Sequence, residues 1–223
     1  VAVFDVGELD GKVIIISDYI SGTTLSKWLE KNDCTWHRAS EIVADLAEAL
    51  SHAHAQGVIH RDMKPANVIL TESGQPVILD FGLAISSDDA EQPGVVAGTP
   101  RYMSPEQVQG RGHQIDGRTD IYALGVILYQ MLADRPPYTA TTVTELMAKI
   151  SREAPEPLGR FVDESVPPEL VSICERAMAR KISQRFPTAL DLAEALRNTI
   201  ANRDTAEASP EPEPEAEKAS ESG

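Results

Sequence analysis

Residues 60–67 read HRDMKPAN, and thirteen positions beyond Asn67 come Asp80, Phe81 and Gly82. Two carboxylates, one carboxamide and one ammonium are concentrated in these two strings. Asn67 and Asp80 offer hard oxygen donors, a carbonyl and a carboxylate, of the kind that suits Mg2+. Lys64, two residues past Asp62, can set a positive charge beside a phosphate oxygen. Between the strings, residues 68–70 and 77–79 are β-rich runs separated by a turn around Ser73 and Gly74. A small hairpin there would bring both groups to one place.

Taken together, the two strings resemble the catalytic loop and the metal-binding triplet of the protein kinases, which bracket one hairpin in that family. The resemblance implies transfer of the γ-phosphate of ATP. Asp62 would orient the substrate hydroxyl and accept its proton, Lys64 would lie beside the transferring phosphate, and Asn67 and Asp80 would hold Mg2+. Such a transfer passes through a loose transition state, so the protein must chiefly position reactants and neutralise charge. Lysine two residues after the catalytic aspartate implies serine or threonine hydroxyls of proteins as acceptors. Thr99, in the string GTPRYMSPE, stands where serine/threonine kinases carry a threonine that contacts the aspartate and the lysine.

The same resemblance extends to residues that support the site. Ser104, Pro105 and Glu106 occupy the place of the usual Ala-Pro-Glu, with Ser104 a mild departure. Glu106 is expected to form a buried ion pair with Arg185 of QRFPT, and Asp120 of DIYALG to anchor the catalytic-loop backbone. Asp120 also reads as a helix N-cap, and both roles can hold. Residues 17–22 follow a strand as the kinase hinge does. There the backbone of Asp18 and Ile20 would bond adenine, Ser17 would guard the rear of the pocket, and Ile69 would form part of its floor. Arg61 suggests pairing with a phosphorylated residue in an activation segment spanning about 80–106, where Ser86, Ser87 and Thr99 are the available hydroxyls. Asp88, Asp89 and Glu91 nearby could partly mimic such a phosphate. His52 and His54 do not share a helical face, and His60 reads as a packing residue of the loop, so the histidines form no metal site.

The elements that must position these groups follow from periodicity. Residues 1–4 and 13–16 flank a turn-like stretch, 7–11, and predict a hairpin. Residues 40–56 place Ile42, Leu46, Leu50 and Ala53 on one face, with Ser40 as N-cap and Gly57 as the stop. Residues 121–132 are apolar nearly all round, as for a central helix enclosed by others. Residues 142–150 open with a capping box from Thr142 to Glu145, residues 170–178 repeat the same apolar spacing, and 188–200 form a last helix capped by Thr188. The fold class expected is α+β, with a protein kinase-like arrangement.

No Gly-x-Gly-x-x-Gly string occurs, and no upstream lysine and glutamate are present to grip the nucleotide phosphates. The resemblance therefore starts at the family's fourth strand and runs to about residue 202. It covers the hinge and the mainly helical C-terminal lobe, with most of the N-terminal lobe absent. The expectation is an N-terminally truncated fragment of an enzyme of the bacterial eukaryotic-like serine/threonine type, weakly active or inactive alone. The class-distinct alternative is a pseudokinase-like binding scaffold, and a third reading is an acidic docking module. Residues 203–223 carry seven acids and two bases with no large apolar residue, and read as a disordered acidic tail. Over all 223 residues the formal charge is −15, which disfavours nucleic acid and anionic lipid as partners. The longest apolar run is far short of the roughly 20 residues that span a bilayer. Cys34 and Cys174 make no metal or disulfide pattern, which points to a reducing cytoplasm, although a parent protein could be membrane-anchored elsewhere.

Overall fold

The structure is a computed structural model and describes residues 3–9, 12–81 and 100–208. Two antiparallel strands open the chain, β1 (Val3–Leu9) and β2 (Lys12–Ser17), paired from Asp5 with Ile16 to Leu9 with Lys12. The strands run through most of the stretch 7–11 that reads as a turn; positions 10 and 11 lie outside the described residues. A second sheet is built from β3 (Gly22–Thr24), β4 (Val68–Thr71) and β5 (Pro76–Ile78) in the order 3-4-5, all antiparallel. Its β4–β5 pair is the expected hairpin; β3, three residues long, carries no alternation that could announce it. Gly22 is required where β3 meets β4, because a Cβ there would lie 2.3 Å from the Leu70 carbonyl oxygen.

Helices make up the rest: α1 (Leu25–Leu29), α2 (Trp36–Ala55), α3 (Pro105–Val108), α4 (Arg118–Ala133), α5 (Val143–Arg152), α6 (Pro168–Ala177) and α7 (Ala189–Ala208). Helix α2 starts four residues earlier than the pattern suggests. Thr35, not Ser40, is its N-cap and accepts from the Arg38 N–H, while Ser40 turns inward and bonds the Trp36 carbonyl at 2.8 Å. The extra turn lets Trp36 join the core. In α5 the Thr142 hydroxyl accepts from the Glu145 N–H at 3.1 Å, as the capping box requires. At α7 Thr188 and Asp191 cap each other reciprocally. That helix continues past residue 202 to Ala208, further than the expected domain end. Its final turns, RDTAEA, are rich in good helix formers and need no apolar face to stay helical. The expectation of disorder is therefore corrected for residues 203–208; the remainder of the acidic tail lies outside the described residues.

Helix α4 forms the axis of the core. Every residue from Thr119 to Tyr129 is buried, and the helix packs against α2 on one side and α6 on the other. At Gly125 the α4 and α6 backbones nearly touch, since a Cβ there would meet Met178 Cγ at 2.7 Å and Ala177 Cβ at 2.9 Å. Helix α7 packs along α2, with Arg197 pairing with Asp45 and Glu48 across the seam. This rigid base carries two loops, residues 56–67 and 79–81, at the ends of the small sheet.

Candidate active site

The site is built on the loop between α2 and β4. Asp120, 1% exposed in the first turn of α4, accepts the His60 N–H at 2.9 Å on Oδ2 and the Arg61 N–H at 2.8 Å on Oδ1. Gly117 sits at the N-cap of α4, so the capping reading of Asp120 is not realised and its carboxylate serves the loop. Two charge-assisted bonds hold Arg61 in a left-handed backbone conformation, φ 66°, which a non-glycine residue adopts at a cost of about 1–3 kcal/mol. Asp80 shares this feature, with φ 54°. Neither position carries the glycine that would have signalled it.

Around Asp62 the side chains converge. Lys64 Nζ lies 2.5 Å from Asp62 Oδ2, and Asn67 Nδ2 donates to the Asp62 carbonyl oxygen at 2.8 Å and to Oδ2 at 3.1 Å. Among the described residues nothing occupies Asp62 Oδ1, so one carboxylate oxygen is held by its neighbours and the other is available to a hydroxyl. Asp62 is one-third exposed and Lys64 one-fifth, giving a site open to solvent but firmly based. The 3-10 turn Pro65–Asn67 and the bond from Asn67 N–H to Lys64 O fix the loop's second half.

His60 couples this loop to the segment that carries Asp80. Its Nδ1 accepts the Asp62 N–H at 3.2 Å, so Nε2 carries the hydrogen and donates to the Leu79 carbonyl at 2.8 Å. Leu79 N–H donates in turn to Asn67 O at 2.8 Å, and the Phe81 ring lies 5.1 Å from the imidazole. The packing role expected for His60 holds, and its hydrogen bonds add registry.

The donor set can be weighed against Mg2+. Asn67 directs its N–H groups at Asp62, which leaves its amide oxygen without a protein donor among the described residues. Asp80 presents an exposed carboxylate at the end of β5. One carbonyl and one carboxylate, completed by phosphate oxygens and water, would fit an ion that prefers oxygen and keeps part of its hydration. Among the described residues no group of three or more histidine, cysteine or acidic side chains could hold a metal.

The supporting pair is also formed. Arg185 Nη1 and Nη2 donate to Glu106 Oε1 and Oε2 at 2.7 and 2.8 Å, Thr119 Oγ1 adds a bond of 2.9 Å, and both charged side chains are almost fully buried. The remaining guanidinium hydrogens reach the Ala179 and Arg118 carbonyls. Burial pushes the Glu106 carboxyl up, but the hydrogen bonds and charge of Arg185 outweigh it and hold the group below the usual carboxylate range. Ser104, the departure from Ala-Pro-Glu, bonds Gln107 Oε1 through its N–H at 3.0 Å and its hydroxyl at 3.2 Å. Gln107 Nε2 then donates to the Arg61 carbonyl at 2.7 Å, tying α3 to the catalytic loop.

Gln107 and His54 are the functional neighbours that sequence reasoning overlooks. His54 Nε2 lies 2.8 Å from Asp120 Oδ2, as a third partner of the anchoring carboxylate. Its signal was present: Leu46, Leu50 and His54 are spaced by four, so His54 continues the buried stripe of α2. For Gln107 the signal was the Ser-x-x-Gln capping pattern. Elsewhere, Asp18 is exposed and Ile20 half-buried just before β3, and Ile69 stands opposite Thr24 in the adjoining β4. The Ile69 Cγ2 methyl approaches to 2.6 Å from where a Cβ of Gly22 would be, so hinge-like and floor residues adjoin. Arg61 is exposed. Gly82, Ser86, Ser87 and Thr99 lie outside the described residues.

A strand pair leading into a short linker, a helical body, and a loop whose aspartate, lysine and asparagine converge beside a second aspartate define a protein kinase architecture. The sequence matches the protein kinase domain model over residues 1–198, and the chain belongs to that family. The curated proteins it resembles are bacterial serine/threonine-protein kinases. It is 35% identical over 201 residues to the serine/threonine-protein kinase PknB of Mycolicibacterium smegmatis, covering 86% of this chain and 32% of that protein. Against PknB of Mycobacterium tuberculosis the identity is 34% over 201 residues, with the same coverage of 86% and 32%. Against PknD of Mycobacterium tuberculosis it is 37% over 204 residues, 90% of this chain and 30% of that protein. The chain thus spans about a third of the length of the curated relatives it matches. Among the described residues no helix is long and apolar enough to cross a membrane.

Proposed function

We propose that this chain carries the transfer half of a serine/threonine protein kinase, moving the γ-phosphate of ATP to serine or threonine hydroxyls of proteins. The observation that carries the reading is the convergence of Asp62, Lys64 and Asn67, with one Asp62 oxygen left unengaged among the described residues. In this reading Asp62 Oδ1 receives the acceptor hydroxyl, orients its oxygen along the line of attack and takes up its proton. Lys64 gives up part of its contact with Asp62 and moves its ammonium to the γ-phosphate oxygens. Asn67 and Asp80 hold Mg2+, which when bound neutralises charge on the nucleotide phosphates.

The backbone of Asp18 and Ile20 would meet adenine, with Ile69 beneath it. Thr99 and phosphorylation of Ser86 or Ser87 belong to the same reading through the family pattern. The free thiols of Cys34 and Cys174 accord with a reducing, ATP-holding cytoplasm. Retention of every transfer side chain favours the enzyme over a non-catalytic scaffold.

The test is a Mg2+ titration of protein phosphorylation by the full-length product of the gene. Asn67→Ala or Asp80→Ala should cut turnover by about 10²-fold or more and raise the Mg2+ concentration needed for half-maximal rate. An unchanged Mg2+ requirement in both variants would remove these residues from the metal site.

A further inference from the structure

A second concave surface lies away from the transfer residues. It is a groove of about 740 Å3 between α3, the loop that precedes α4, the end of α5 and residues 180–183. Arg111, His113, Arg180 and Lys181 line it, with the hydroxyls of Ser151 and Ser183. Two carboxylates also face it, and both are already engaged: Glu106 by Arg185, and Asp116 by Arg118 through bonds of 2.6 to 3.1 Å. The side chains of Arg111, His113 and Lys181 make no hydrogen bond or ion pair among the described residues, and all three are exposed. Arg180 donates one N–H to the Arg152 carbonyl and keeps its other hydrogens.

A concentration of cations with no acidic partner among the described residues is unexpected in a chain of net charge −15. Like charges on one wall repel, and that cost is offset when an anion bridges them. The overall negative charge argues against a polyanion such as nucleic acid or a lipid surface, which would meet repulsion everywhere outside the groove. A ligand with one compact anionic group meets no such barrier. Sharing Gln109 and Ser151 with this groove is a smaller one of about 340 Å3, lined otherwise by Val108, Met147, Ala148 and Arg152, with its apolar side chains on α3 and α5. A cationic pocket continuous with an apolar slot fits a peptide in which a phosphate is followed by an aliphatic side chain; a free phosphate ion would leave the slot unused.

We infer that this groove binds a phosphorylated segment of a partner protein, the phosphate held by Arg111, Arg180 and Lys181 and a neighbouring apolar side chain held by Val108 and Met147. The groove shares α3 with the Gln107–Arg61 contact, so a bound segment would be tethered on the acceptor side of the catalytic loop. The binding itself requires no turnover and stands independently of the transfer reading.

The test is fluorescence anisotropy of the whole 223-residue chain with a labelled peptide carrying one phosphothreonine followed by leucine, its unphosphorylated twin, and inorganic phosphate as competitor. The phosphopeptide should bind at least about tenfold more tightly than its twin. Arg111→Ala with Lys181→Ala should weaken it about tenfold or more, Arg111→Glu with Lys181→Glu should abolish it, and raising salt from about 50 to about 300 mM should weaken it. Asp62→Asn should leave the affinity unchanged, separating this groove from the transfer site. Should a double variant melt early, Lys181→Gln alone serves, with an expected loss of about threefold. Equal binding of the unphosphorylated twin, affinity indifferent to these substitutions, or displacement of the peptide by equimolar inorganic phosphate would each overturn the inference.

Discussion

Replacing Arg185 with alanine removes the counter-charge of a carboxylate that has nowhere else to turn. Glu106 is 3% exposed, and of its contacts the Thr119 and Ser104 hydroxyls and local backbone would remain, none of them charged. Breaking such a pair by deleting one partner costs about 3–5 kcal/mol, because the orphaned charge stays in low dielectric. At about 2–4 °C per kcal/mol for a domain of this size, the melting temperature should fall by about 6–20 °C at pH 7. The pH dependence identifies the mechanism. In the parent chain the folded carboxyl lies below its unfolded value, so its contribution is complete above the unfolded pKa of about 4.3 and is lost as pH falls through the folded one. In the variant, burial is opposed only by the remaining neutral hydrogen bonds and is expected to raise the folded value above the unfolded one, so the penalty is full at neutral pH and fades on acidification. Circular-dichroism melts of both proteins from pH 7 to pH 5 should therefore show the gap narrowing. Glu106→Gln combined with Arg185→Met should recover much of the loss at pH 7. A gap of less than about 1 kcal/mol, or one that stays constant with pH, would refute the reasoning.

Two other substitutions probe the frame. Gly125→Ala forces a methyl group against Met178 and Ala177 and should destabilise by about 1–3 kcal/mol in a denaturant titration, whereas the same change at exposed Gly112, which has no neighbour within 4 Å of a Cβ, should cost less than about 1 kcal/mol. Asp120→Ala strands the His60 and Arg61 N–H groups and should cost about 2–4 kcal/mol while releasing Arg61 from its left-handed conformation. Hydrogen exchange at those two amides, now fast, would report it; retained protection would show another acceptor.

The chemistry was more legible in the sequence than its scaffolding. The roles proposed for Asp62, Lys64, Asn67 and Asp80 depend on side-chain type, so a contiguous string and one fixed spacing disclose these residues. Glu106 and Arg185, 79 residues apart, were legible only through the family pattern, since no local signal joins two buried charges. Helices α4, α5 and α6 follow from apolar period alone. The start of α2 did not, because Thr35 and Ser40 are equally able caps and only the burial of Trp36 decides between them. His54 and Gln107 were missed for a different reason: the α2 stripe and the capping pattern place the residues, but not the hydrogen bonds each makes to a group 66 or 46 residues away. The left-handed backbones of Arg61 and Asp80 are imposed by tertiary bonds and leave no trace in residue type.

Transfer of radiolabelled phosphate from ATP to a serine- or threonine-containing protein, measured for the full-length gene product and its Asp62→Asn variant, bears on the heart of this account. Removing the proposed proton acceptor while keeping its shape should lower kcat by about 10²–10⁴-fold and leave ATP affinity within about twofold. Turnover within about threefold of the parent enzyme would contradict it.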